Sequence, residues 1–75
     1  MSKAPSLNYD RVLKALERNG FAVIRQKGSH IRMEKRYGNE IIKITVPTHR
    51  PIKRFTLSYI LKQAKISTED FILLL

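Results

Sequence analysis

Lys27-Gly28-Ser29-His30-Ile31-Arg32-Met33-Glu34-Lys35-Arg36 is the stretch on which the fold turns. A short glycine-containing turn opens it, and polar and apolar residues then alternate. His30, Arg32, Glu34 and Arg36 fall on one face and Ile31, Met33 and Lys35 on the other, which is the two-residue period of a strand. Residues on both sides continue the pattern. Phe21-Ala22-Val23-Ile24-Arg25-Gln26 is rich in β-formers and reads as the preceding strand, joined through a hairpin turn at Lys27-Gly28-Ser29. Tyr37-Gly38-Asn39 makes a second turn. Glu40 to Val46 follows as a third strand, with Ile42, Ile44 and Val46 on one face and Ile41, Lys43 and Thr45 on the other. Pro47 ends it, because proline cannot donate to a ladder. The result is a three-stranded antiparallel meander with one apolar face and one mixed, basic face.

The apolar face needs a cover, and the flanking segments supply it. Tyr9, Val12, Leu13 and Leu16 recur at helical spacing between a candidate N-cap, Asn8, and a stop at Asn19-Gly20. After a basic loop from Pro47 to Phe55, Thr56 is expected to cap a second helix over residues 57–65, burying Leu57, Ile60, Leu61 and Ala64. Ser67-Thr68-Glu69-Asp70 looks like the start of a further helical turn. The apolar end, Phe71 to Leu75, should fold back on the core or meet another subunit. The expected fold is therefore α+β: α-β-β-β-α, a three-stranded antiparallel sheet with two helices and a short C-terminal turn of helix packed on one face. The 75 residues read as one domain, with a flexible N-terminus over 1–7 and the folded part over 8–75. His30 and Arg32 should project from the open face, provided no bulge slips the register.

Charge narrows the class of partner. Fifteen Lys and Arg against six acids give +9, and from Arg25 to Arg54 nine cations meet only Glu34 and Glu40, so that window alone carries +7. A concentrated basic region suits a polyanion such as nucleic acid; an acidic protein is the other partner it could take. Cysteine is absent, which fits a reducing compartment, and no apolar run approaches the ~20 residues of a membrane span. With no apolar segment behind the start, a signal peptide is not expected, and the protein reads as cytoplasmic.

His30 is the chemical focus. An imidazole exchanges protons near neutrality. Gly28 allows close backbone approach, Ser29 offers a hydroxyl and an N–H to a phosphate, and Lys27 and Arg32 could offset charge on a phosphorane. On RNA such a set could deprotonate a 2′-hydroxyl without metal. The same histidine could equally cap a turn or pair with Glu34. His49 is either a second acid/base or an anchor for its loop. The carboxylates are scattered and no His spacing suits zinc, so neither metal nor cofactor is expected. Tyr37, Phe55 and Tyr59 could stack on bases, though single aromatics more often pack.

Gly20-Phe21, Gly28-Ser29-His30, Pro47-Thr48-His49, and Thr56-Leu57 followed by Ile60-Leu61-Lys62-Gln63-Ala64 resemble, in order and spacing, the HicA toxin family over about residues 7 to 72. The resemblance implies a fold like that of double-stranded-RNA-binding domains. It implies a ribonuclease toxin that cuts mRNA and is held inactive by a HicB-type antitoxin covering the active site. It places the catalytic histidine at His30 and the family's Pro-x-His histidine at His49. The RNA backbone would then be held by Lys27, Gly28, Ser29, Arg32, Lys43, Arg50, Lys53 and Arg54. The chain departs from the family before Thr56, where members often carry glycine and Phe55 stands here. The alternative is a non-catalytic RNA-binding module that reads A-form shape.

Overall fold

The structure, a computed structural model, describes residues 5–75. The elements run α1 (Tyr9–Arg18), β1 (Ala22–Lys27), β2 (His30–Tyr37), β3 (Glu40–Pro47), α2 (Arg54–Ala64) and α3 (Thr68–Leu73). The strands form one antiparallel sheet in the order β1-β2-β3, so the alternating stretch supplies the central strand. This is the α+β arrangement expected from the pattern.

Both hairpins turn on two residues. Lys27 pairs with His30 across Gly28-Ser29, and Tyr37 with Glu40 across Gly38-Asn39. Each glycine takes a positive φ, 58° at Gly28 and 63° at Gly38, the conformation that the first central position of a type II′ hairpin requires. The alternation then decides burial. Ile31, Met33, Ile42, Ile44 and Val46 turn inward and form one core with Val12 and Leu16 of α1, Leu57 and Leu61 of α2, and Phe71 of α3. Among the described residues no polar or charged side chain is buried. The helices cover one face and leave the other to solvent.

Four expectations are refined. β1 carries a bulge between Val23 and Arg25, with Ile24 as the extra residue, and every residue of the strand is exposed. The second helix starts at Arg54 behind an N-cap at Lys53, so Thr56 lies inside it rather than capping it. Ile52, in the basic loop, is fully buried and pairs with Leu7. The N-terminal segment expected to be flexible includes residues 1–4, which lie outside the described residues. Ser6 and Leu7 are held in place: Ser6 Oγ donates to the Ile52 carbonyl at 3.3 Å, and Leu7 O accepts from Ile52 N at 2.7 Å. At the other end Ser67 does cap α3, its Oγ accepting from Asp70 N at 3.0 Å. The chain's end divides: Phe71 folds into the core, while Leu73 stays 84% exposed.

Candidate functional site

The site is assembled by pairing. A two-residue turn puts Lys27 opposite His30. Two residues back from Lys27, on the turn side of the bulge, Arg25 lies opposite Arg32. On the other flank Arg32 lies opposite Thr45 and His30 opposite Pro47. Residues paired across an antiparallel ladder share a face, so one open depression is lined by Arg25, Lys27, His30, Arg32 and Thr45. Three cations and no carboxylate surround the histidine there.

The turn itself is braced from the side. Thr48 N donates to the Ser29 carbonyl at 2.9 Å, and Thr48 Oγ1 reaches the same oxygen at 3.3 Å. The Gly28-Ser29-His30 and Pro47-Thr48-His49 segments, 19 residues apart along the chain, are thereby neighbours. His30 is exposed, and among the described residues its imidazole has no hydrogen-bond or ion-pair partner. The pairing with Glu34 that its position allowed does not form, and Glu34 instead sits opposite Lys43 in the ladder.

The other expected residues divide. Lys43 lies on the same open face but lines a neighbouring depression with Thr45, Tyr59 and Gln63 at the free edge of β3. His49 is exposed and is not a wall of the His30 depression. What anchors its loop is backbone: the His49 carbonyl accepts from Tyr9 N at 3.1 Å. Arg50 turns toward α1, its guanidinium 4.9 Å from the centre of the Tyr9 ring and 3.8 Å from Asp10. Lys53 and Arg54 are exposed at the start of α2, away from the depression. Arg25 and Thr45 were not anticipated. Counting the alternation back from the two-residue turn puts Arg25 on the face of His30, and the alternation of β3 already put Thr45 there. Among the described residues no three His, Cys, Asp or Glu side chains gather as metal ligands would, and no helix is long and apolar enough to cross a membrane.

Fold and face together define a small α+β domain that presents a histidine among cations on an open sheet. The family model described as HicA toxin of bacterial toxin–antitoxin matches residues 9–66, from the start of α1 to just past α2. The chain belongs to the HicA toxin family, the toxins of systems in which a toxin is paired with an antitoxin. No curated protein matches the sequence.

Proposed function

We propose that this toxin is a metal-independent endoribonuclease that cuts mRNA, with His30 as its general acid/base. The observation that carries the reading is the exposed, unpartnered imidazole ringed by Arg25, Lys27 and Arg32. The ring takes the proton of a ribose 2′-hydroxyl, and the 2′-oxygen forms a bond to the adjacent phosphorus. The bond from phosphorus to the 5′-oxygen breaks, and that oxygen takes a proton from the imidazolium or from water. The products are a 2′,3′-cyclic phosphate and a free 5′-hydroxyl. Arg25, Lys27 and Arg32 offset the charge that builds on the phosphorane, and no metal is needed to balance the step. A HicB-type antitoxin would silence the toxin by covering this face.

The test is incubation of the purified chain with mRNA, with and without chelator, beside His30→Ala. Cleavage by the wild type should survive the chelator, and the variant should lose on the order of 10²–10⁴-fold in rate while keeping its fold. A variant that cuts at a comparable rate sinks the assignment. Wild-type RNA binding without any products would instead make this a non-catalytic RNA-binding domain.

A further inference from the structure

The solvent face of α2 carries two large aromatic side chains that the fold does not use. Phe55 is 87% exposed and Tyr59 61% exposed. At a spacing of four they stand one above the other on the helix surface. With Ser58 and Lys62 they line a depression. Tyr59 also belongs to the depression that holds Lys43 and Thr45, and Thr45 belongs to the one that holds His30. Shared residues thus link the three depressions into one track, from the histidine over the edge of β3 to the aromatic pair. No carboxylate lines any part of it. Cations beside flat apolar faces suit a ligand with a negative backbone and exposed bases, which is single-stranded nucleic acid. An acidic protein could bury the two rings as well, but the shared residues lead from them directly to the histidine, and that continuity favours a strand whose phosphate reaches His30.

We infer that Phe55 and Tyr59 form a stacking platform for an unpaired base of the RNA strand whose scissile phosphate sits at His30. The inference rests on the ribonuclease reading and adds to it a substrate class: RNA that is single-stranded beside the cut. The strand would run from His30 past Thr45, which lies opposite Arg32, roughly 7 Å along the sheet from the His30 pair. It would then cross Lys43 and place a base against the rings.

The experiment uses the full chain carrying His30→Ala, so that RNA stays intact, with single-stranded oligonucleotides bearing 2-aminopurine at successive positions. Stacking should quench the fluorophore at a position to one side of the cleavage site. Adding Phe55→Ala and Tyr59→Ala should abolish the quenching and weaken binding about tenfold or more. Phe55→Trp should preserve both, and affinity for a fully paired duplex should not change in either variant. Single-strand binding and quenching unaltered by the double alanine change would overturn the platform and leave the rings to a protein contact. If the wild type cuts RNA but the double variant binds as it does, only the platform falls. If the wild type neither binds nor cuts RNA, the ribonuclease reading falls with it.

Discussion

Gly28 decides where His30 points. Its φ of 58° belongs to the left-handed region, and a Cβ built there would meet nothing within 4 Å. Any substitution is therefore resisted by the backbone alone. Gly28→Ala should destabilise the chain by about 1 kcal/mol, the cost of holding a non-glycine residue in that region, as read from urea denaturation. Its effect on RNA cleavage should exceed its effect on stability, because the turn sets both Lys27 and His30. Equal losses in the two measurements would show the turn to be only structural. The Ser29 carbonyl braces the turn by accepting from Thr48.

Among the elements, β1 is the one whose register was hidden. An alternation run unbroken from Lys27 would bring Ile24 opposite Met33. The bulge brings Val23 there instead and leaves Ile24 half exposed. The pairings on either side of Ile24 join smoothly once it is removed. A chain lacking Ile24 should keep Arg25 opposite Arg32 and Val23 opposite Met33, with less local twist. Cross-strand contacts measured by NMR would check this, and an Arg25 moved to the face of Met33 would refute it. α2 shows a second kind of hidden boundary. Thr56 is a good capping residue, yet the buried Ile52 pairs with Leu7 and pins the loop, so the helix begins behind Lys53. Tertiary packing overrides a local preference of about 1 kcal/mol.

The whole molecule is a slab, 31 × 28 × 17 Å, thick enough for one sheet and one layer of helices. One broad side is therefore free for a partner, and it carries much of a +9 charge. RNA binding to that side should weaken steeply with salt as condensed ions are released. Replacing Arg32 by Gln should reduce the slope of log affinity against log salt by ~0.7 for a single strand, with similar weakening across RNA sequences. Arg50→Gln should change the slope far less, since Arg50 is held by Tyr9 and Asp10. Equal slopes for the two variants would show that the track through His30 is not the RNA path.

The order of elements, both hairpins and the facing of β2 and β3 were legible in the sequence, because a strand's period of two and a glycine's φ are local properties that each few residues settle alone. The basic window and the histidine at its head were legible for the same reason. Where β1 breaks register and which loop cation turns away from that histidine were not. A bulge sets Val23 rather than Ile24 opposite Met33, Arg50 turns to an aromatic ring on α1, and Thr48 bonds the Ser29 carbonyl across 19 residues of chain. Those choices are made by contacts between segments distant in sequence, and only the packed fold brings such segments together.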